Sequence, residues 1–179
     1  MPRDPLNKHV NNVMLEKIIH INIEKQHLQL LQNGFVVLQY SVSTAANGPG
    51  EQRGSNCTPR GWHTIRAKIG EGCVPNTVFI KRRPTGEIYT PALRARFPDR
   101  DWILTRILWL SGLETGKNRL GNVDTMRRYI YLHGSPDDVQ MGVPGSHGCV
   151  RMRNDNIMEL FDNIETGIRV LIEESTPGN

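Results

Sequence analysis

The chain has 179 residues, a length that favours one domain and allows a hydrophobic core without disulfides or structural metals. Hydrophobic residues make up 37% and charged residues 22%, which is a globular rather than a disordered composition. The 22 basic and 18 acidic residues give a net charge of only +4, and the basic residues are scattered among acids. This pattern argues against a nucleic-acid partner.

The two ends of the chain are predicted to lie outside the domain. Residues 1–17 are polar, contain two prolines and end in a short helix-like run at 10–17, and residues 175–179 form a C-terminal tail. The first residues contain no apolar run of signal-peptide length, and no stretch approaches the roughly 20 apolar residues of a membrane span. We therefore expect a cytoplasmic protein without a membrane span. A periplasmic location is the alternative if a leader has been removed.

Residues 18–174 are predicted to form the domain, and their pattern indicates mostly β structure. Ile19 and Ile21 alternate with polar residues, as in a half-buried strand. The pair Asn33-Gly34 between two apolar runs is a strong signal for a hairpin turn. After a long irregular loop at 45–61, further strands are predicted at residues 62–69, 77–82, 103–110, 129–133 and 168–172.

One amphipathic helix is predicted after the last cysteine. Ile157, Leu160 and Ile164 share one helical face, and Asn154 or Asp155 can cap the N-terminus. There is no alternation of strands and helices of the kind that a doubly wound sheet requires. The predicted fold class is therefore mainly β with one or two short helices.

The three cysteines differ in their surroundings. An odd number with uneven spacing is not a disulfide framework, so at least one thiol is expected to be free. Cys57 and Cys73 have no activating neighbours in the sequence and are interpreted as ordinary thiols. Cys149 lies in the densest chemical segment of the chain, and this makes it the candidate nucleophile.

That segment combines imidazoles, glycines and a guanidinium around one thiol. Its residues are His133-Gly134 at the end of a predicted strand, Gly145, Ser146-His147-Gly148-Cys149, and Arg151. A free thiol has a pKa of roughly 8.5, so a nucleophilic cysteine needs a base or a cation nearby. The glycines leave room for a substrate backbone and leave N–H groups for an oxyanion. In extended backbone, the side chains of residues 147, 149 and 151 would point to one side.

Other interpretations of the same residues exist. His133, His147 and Cys149 could be three ligands of a catalytic zinc ion, although no other zinc motif accompanies them and no obvious carboxylate is present to accept a hydrogen bond from a ligating imidazole. Cys149 could also be a buried structural thiol, since free cysteines are commonly buried. A cysteine-phosphatase loop is excluded, because Asp155 occupies the position of its phosphate-binding arginine.

The run Ser-His-Gly-Cys-Val-Arg-Met at 146–152, preceded by a strand that ends in His-Gly, resembles the catalytic domain of the L,D-transpeptidases, also called the YkuD domain. The hairpin at 33–34, the Thr-Pro-Arg-Gly turn at 58–61 and the helix and strand after the cysteine resemble that family too. The resemblance covers about residues 18–174. It implies an L,D-transpeptidase-like catalytic domain with a β-sandwich or barrel-like fold.

The resemblance also implies catalytic roles. Cys149 would be the nucleophile and His133 the general base, with the other ring nitrogen of His133 held by a backbone carbonyl near Gly134. Backbone N–H groups near Gly148 and Cys149 would form the oxyanion hole. The family often places a tyrosine or tryptophan beside that hole, and Trp109 on a predicted strand is the candidate for this role. No cofactor and no metal are implied.

The remaining signature residues would contact or shape the substrate pocket. Ser146, His147 and Gly148 would shape the pocket around the cysteine. Arg151 would hold a substrate carboxylate, for which the forked guanidinium is suited.

The substrates of this family are the tetrapeptide stems of peptidoglycan. The resemblance implies attack on the carbonyl of the third residue, diaminopimelate or lysine, with loss of the terminal D-Ala and formation of a thioester. A cytoplasmic enzyme would meet soluble muropeptides with water as the acceptor, so we expect an L,D-carboxypeptidase of wall recycling. An L,D-transpeptidase that forms 3–3 cross-links is the alternative. A non-catalytic wall-binding module is disfavoured, because the cysteine and the histidine are both present.

Overall fold

The computed structural model describes residues 16–175, so most of the predicted helix-like run at 10–17 and of the tail at 175–179 lies outside the described residues. The described chain contains ten strands and two α-helices. In chain order they are β1 (Lys17–Asn22), β2 (His27–Gln32), β3 (Phe35–Ser41), β4 (Gly61–Ile69), β5 (Thr77–Ile80), β6 (Arg83–Ile88), α1 (Pro91–Arg96), β7 (Ile103–Gly112), β8 (Tyr131–Gly134), β9 (Val150–Met152), α2 (Asn154–Asn163) and β10 (Arg169–Glu173).

The strands form one mixed sheet. Its order is β3-β2-β1-β10-β4-β7-β5-β6, while β8 pairs with β7 and β9 pairs with β8. The pairings of β1 with β10 and of β8 with β9 are parallel, and the others are antiparallel. The predicted fold class, mainly β with short helices, is confirmed.

The hairpin predicted at Asn33-Gly34 joins β2 to β3. Asn33 and Gly34 have φ angles of 51° and 82°, the left-handed conformations that the tightest hairpin turn requires. Asparagine and glycine adopt these angles at little cost, so the local sequence is sufficient to place this turn.

The predicted strand at 77–82 is too long by two residues. β5 ends at Ile80. The next two residues, Lys81 and Arg82, have φ angles of 49° and 65° and turn the chain into β6. β6 was not predicted because it contains Pro84, and a proline argues against a strand. β6 lies at the edge of the sheet, where a proline is tolerated. Helix α1 gave no periodic signal because none of its residues is buried.

Two predicted boundaries near the signature residues also need correction. β8 begins at Tyr131 and not at residue 129, because Tyr129 has a φ of 58° and cannot continue a strand. Helix α2 begins with Asn154 inside its first turn, Arg153 occupies the N-cap position, and no side chain caps the helix. The predicted cap by Asn154 or Asp155 is therefore wrong; the Asn154 side chain instead binds Thr105 and another asparagine.

The main core lies between α2 and the sheet. Ile157, Leu160 and Phe161 of α2 are buried in one cluster with side chains from the central strands. Burial of each such side chain stabilises the fold by roughly 1.5–3 kcal/mol. Because α2 packs against β7 and β8, the helix supports the strands that carry the signature residues. Between residues 16 and 175, no helix has the length and apolar character needed to cross a membrane.

Candidate active site

Cys149 and His133 are brought together by the parallel pairing of β8 with β9. In this register Leu132 lies opposite Val150, so Cys149, directly before β9, lies beside Tyr131 at the start of β8. The backbone N–H of Tyr131 donates to Cys149 Sγ at 3.3 Å. His133 follows Tyr131 by two residues on the same strand. The predicted base thus lies on β8, two positions beyond the residue that faces the predicted nucleophile.

His133 is fully buried, and one contact defines which of its ring nitrogens carries the hydrogen. Nδ1 lies 2.7 Å from the carbonyl oxygen of Gly134. A carbonyl oxygen only accepts, so Nδ1 carries the hydrogen and Nε2 presents its lone pair. Among residues 16–175, Nε2 has no hydrogen-bond partner. Burial lowers the pKa of His133, while Asp101 and the Gly134 carbonyl oppose this shift, so the imidazole is neutral.

The thiol of Cys149 is also neutral in the free protein. Burial raises the pKa of Cys149 to about 12, although the N–H of Tyr131 acts in the opposite direction. The thiol also donates to the carbonyl oxygen of Tyr129 at 3.5 Å. A neutral thiol is a poor nucleophile, so attack on a substrate requires a base that takes its proton.

A tight turn at residues 146–149 sets the position of the cysteine. The Ser146 hydroxyl donates to the carbonyl oxygen of Cys149 and accepts from the N–H of Gly148. The Thr58 hydroxyl donates to the carbonyl oxygen of Gly148 at 2.9 Å. Gly148 has a φ of 130°, and a Cβ there would lie 3.0 Å from Ile130 Cδ1, so glycine is required.

This turn corrects the expectation of extended backbone through residues 147–151. Only Val150–Met152 form a strand, so the two-residue alternation does not apply to His147 and Cys149. The N–H of Gly148, one of the predicted oxyanion donors, is engaged by Ser146 Oγ at 3.2 Å. An oxyanion would have to displace that hydroxyl to receive the Gly148 hydrogen bond.

Arg151 and His147 line a cavity of about 200 Å³ on one side of the turn. The Arg151 guanidinium donates to Asp101 Oδ1 at 3.1 Å and to the carbonyl oxygen of Gly145 at 2.9 Å. His147 is exposed, whereas the Arg151 side chain is only 17% exposed. The predicted carboxylate-binding residue is therefore paired with an acid in the free protein.

A second cavity, of about 260 Å³, lies on the other side of His147. Three arginines line it, and none of its lining residues is acidic; these arginines are Arg53, Arg127 and Arg128. Arg128 is tied to the loop before Thr58, since it donates to the carbonyl oxygens of Gly50, Glu51 and Cys57. The two cavities therefore differ in charge although they share one histidine.

Sequence reasoning missed the residues that act through backbone or long-range contacts. Tyr131 holds the sulfur through its N–H, which a sequence pattern of side chains does not reveal. Asp101 follows an irregular segment and belongs to no motif, so its pairing with Arg151 gave no signal. Trp109 is half-buried beside the site, and its indole N–H donates to the carbonyl oxygen of Met126 at 3.2 Å.

The zinc alternative lacks a suitable ligand cluster. In the part of the chain that the structure describes, no three His, Cys, Asp or Glu side chains are grouped to hold a metal ion. His133 is a fully buried residue of β8, while His147 is exposed on the loop, so these two histidines do not converge with Cys149 as three ligands would. Cys57, Cys73 and Cys149 are all free thiols.

Residues 16–172 match the family of the L,D-transpeptidase catalytic domain, YkuD. The match spans most of the chain and includes both strands and the turn that carry the site. The chain therefore belongs to this enzyme family.

Two similar relatives bear the same family name. "Probable L,D-transpeptidase ErfK/SrfK" of Salmonella typhimurium is 42% identical over 118 residues, which are 64% of this chain and 32% of the relative. The protein of that name from Escherichia coli is 44% identical over 45 residues, 25% of this chain and 14% of the relative. The chain thus spans a third or less of the length of these relatives.

Solved structures show the same fold. An L,D-transpeptidase from Mycobacterium smegmatis has a TM-score of 0.53 and 18% identity, with 89% of this chain and 59% of that chain covered. An L,D-transpeptidase from Enterococcus faecium, solved as a cysteine-to-serine mutant, has a TM-score of 0.53 and 16% identity, with 88% and 50% covered. These likenesses confirm the L,D-transpeptidase fold.

Proposed function

We propose that the protein is an acyl-transfer enzyme that removes the terminal D-Ala from peptidoglycan tetrapeptide stems through a thioester on Cys149. The observation that carries the proposal is the state of His133: it is buried, neutral and held at Nδ1, and Nε2 has no hydrogen-bond partner among residues 16–175. His133 also lies on the strand beside the cysteine. Membership of the L,D-transpeptidase family supports the choice of substrate.

In the proposed acylation step, His133 Nε2 takes the proton of the Cys149 thiol as sulfur attacks the carbonyl carbon of the third stem residue. The S–C bond forms, and the C–N bond to D-Ala breaks when the imidazolium returns the proton to the leaving amine. The Gly134 carbonyl stabilises the intermediate imidazolium through its hydrogen bond with Nδ1. D-Ala leaves as a free amino acid, and the stem remains on the enzyme as a thioester.

Arg151 is proposed to bind the carboxylate of the terminal D-Ala. Its guanidinium lines the cavity beside the cysteine turn and is paired with Asp101, whose side chain is 45% exposed. A carboxylate that enters the cavity competes with Asp101 for a bidentate contact with the guanidinium. The exposure of Asp101 lets it turn to solvent when the substrate arrives.

Water is proposed as the acceptor of the acyl group, which gives a tripeptide. An amine acceptor needs a second binding site next to the thioester, and the cavity on the other side of His147 is lined by three arginines without an acid. These positive charges disfavour a protonated amine but do not affect water. Amine transfer with formation of a 3–3 cross-link is the alternative outcome.

Incubation with a disaccharide tetrapeptide tests this proposal. Mass spectrometry separates three outcomes: tripeptide plus D-Ala, cross-linked dimer, and unchanged substrate. We expect tripeptide from the wild-type protein and no product from Cys149→Ala. The matched control is Cys73→Ala, which removes another half-buried thiol and should retain activity. Unchanged substrate with the wild-type protein, or tripeptide from Cys149→Ala, would contradict the thioester mechanism, and dimer would contradict water as the acceptor.

A further inference from the structure

Strand β7 is irregular directly opposite the proposed base. Leu104 pairs with Gly134 and Ile107 pairs with His133, so two residues of β7 bulge between one adjacent pair of β8. One of them, Thr105, has a φ of 72°. A β-branched residue in the left-handed region is strained, and such conformations persist only where the surrounding contacts hold them.

The contacts that hold Thr105 form a closed ring of three residues from three segments, made by their side chains and by the backbone N–H of Asn76. The backbone N–H of Asn76 donates to Thr105 Oγ1 at 3.0 Å, Thr105 Oγ1 donates to Asn154 Oδ1 at 2.6 Å, and Asn154 Nδ2 donates to Asn76 Oδ1 at 2.9 Å. Asn76 directly precedes β5, and Asn154 is the first residue of α2. We refer to this arrangement as the Asn76–Thr105–Asn154 ring.

The ring packs against the α-carbon of Gly134. A Cβ at this glycine would lie 2.3 Å from Asn154 Oδ1 and 3.2 Å from Thr105 Cβ. Gly134 therefore fits against the ring only because it lacks a side chain. The carbonyl oxygen of this same glycine accepts the hydrogen bond from His133 Nδ1. The peptide that orients the imidazole is thus in direct contact with the ring.

We propose that the Asn76–Thr105–Asn154 ring positions His133, because it fixes the Gly134 carbonyl and so the direction in which Nε2 presents its lone pair. This inference rests on the proposed role of His133 as the general base. The three ring members are positioning residues, since they act through Gly134. Arg106 adds to this support, as its guanidinium donates to the Thr105 carbonyl oxygen at 2.7 Å.

Thr105→Val is the test variant, because valine keeps the branched shape and loses the hydroxyl that closes the ring. We expect kcat for D-Ala release to fall roughly 10- to 100-fold with KM unchanged, the scale that follows from misplacing a reacting group by a fraction of an ångström to 1 Å. Thr105→Ser keeps the hydroxyl and should restore kcat to within about threefold of wild type, a difference below 1 kcal/mol. Asn76→Ala opens the ring at one link and gives a second, independent variant.

Thr125→Val is the matched control. The Thr125 hydroxyl is also buried and also lies beside a buried histidine, 3.0 Å from His63 Nε2, but it takes no part in the ring. A comparable loss of stability without a change in kcat is expected for this variant. Thermal unfolding of all variants shows whether each one is folded at the assay temperature.

Nitrogen NMR of the His133 imidazole gives a readout that does not depend on activity. The signal is assigned by its loss in His133→Gln. Wild-type protein should show a hydrogen on Nδ1 only, and Thr105→Val should show a mixture of the two neutral tautomers. An unchanged tautomer and an unchanged kcat in both Thr105→Val and Asn76→Ala would overturn the inference. If the wild-type protein releases no D-Ala but the tautomer still responds to the ring, the proposed function fails and the positioning of His133 stands.

Discussion

Cys149 lies between two regions that differ in almost every physical property. On the β8 side, His133 is inaccessible to solvent, neutral and fixed by its neighbour's carbonyl. On the loop side, His147 is exposed between two cavities, and Arg151 is bound to a half-exposed acid. The β8 side is set before a substrate arrives, whereas the loop side can exchange its partners. In the proposed mechanism, the β8 side performs proton transfer and the loop side recognises the substrate.

The largest expected effect is on the β8 side. His133→Gln keeps the size of the side chain but removes the basic nitrogen, so acylation should slow by roughly 10²–10⁴-fold. The rate of D-Ala release under single-turnover conditions measures this change. A His133→Gln protein with more than about a tenth of the wild-type rate would mean that proton transfer does not depend on the buried histidine.

The reactivity of the free thiol tests the same side without a substrate. Because the pKa of Cys149 is raised to about 12, less thiolate is present at neutral pH than for an ordinary cysteine. Alkylation by iodoacetamide at pH 8 should be roughly 10²-fold slower than for a small free thiol, and it should accelerate up to about tenfold per pH unit towards pH 10. Peptide mass spectrometry follows Cys149 separately from Cys57 and Cys73. Alkylation of Cys149 at pH 7 as fast as glutathione would indicate a preformed thiolate.

A smaller effect is expected for the carboxylate contact on the loop side. Arg151→Lys keeps the charge and loses the forked geometry, so KM for the tetrapeptide should rise about tenfold with a smaller change in kcat. Amidation of the terminal carboxylate should have a similar effect on the wild-type enzyme and add little in the variant, since both changes remove one contact. Equal cleavage of the amidated and the free tetrapeptide would exclude this role for Arg151.

The smallest effect is expected for the exposed histidine. His147→Gln should change kcat/KM by no more than about threefold, as is usual for exposed positions that make no essential contact. The same assay as for His133→Gln provides the comparison. If the two variants exchanged their order of effect, the division of roles between the β8 side and the loop side would be reversed.

Features encoded by neighbouring residues could be predicted from the sequence, and features built by distant contacts could not. The strand around Ile19, the Asn33-Gly34 turn and the apolar face of α2 follow from local patterns. Cys149 and His133 could be assigned to one site, because the family resemblance covers both the signature run at 146–152 and the strand that ends in His133-Gly134. The geometry of the site could not be predicted in the same way, because it depends on the turn at Gly148.

The predictions failed where a residue's environment is created by remote segments. Asp101 is 50 residues from Arg151 in sequence, and no motif contains it. Thr105 has a left-handed φ that its type disfavours, and contacts with the remote residues Asn76 and Asn154 hold it there. Asn154 resembles a helix cap in sequence, but its side chain is used for these contacts.

The position of β10 determines when the sheet can close during synthesis. β10 lies between β1 and β4, so residues 169–173 join the first hairpins to the strands that carry the site. A nascent chain that ends before Arg169 leaves the edges of both β1 and β4 without a partner, and such edges can pair with other chains. Pairings between residues so distant in sequence are also slow to form. The enzyme therefore depends on release of nearly its whole domain from the ribosome, and on protection of two open strand edges until then.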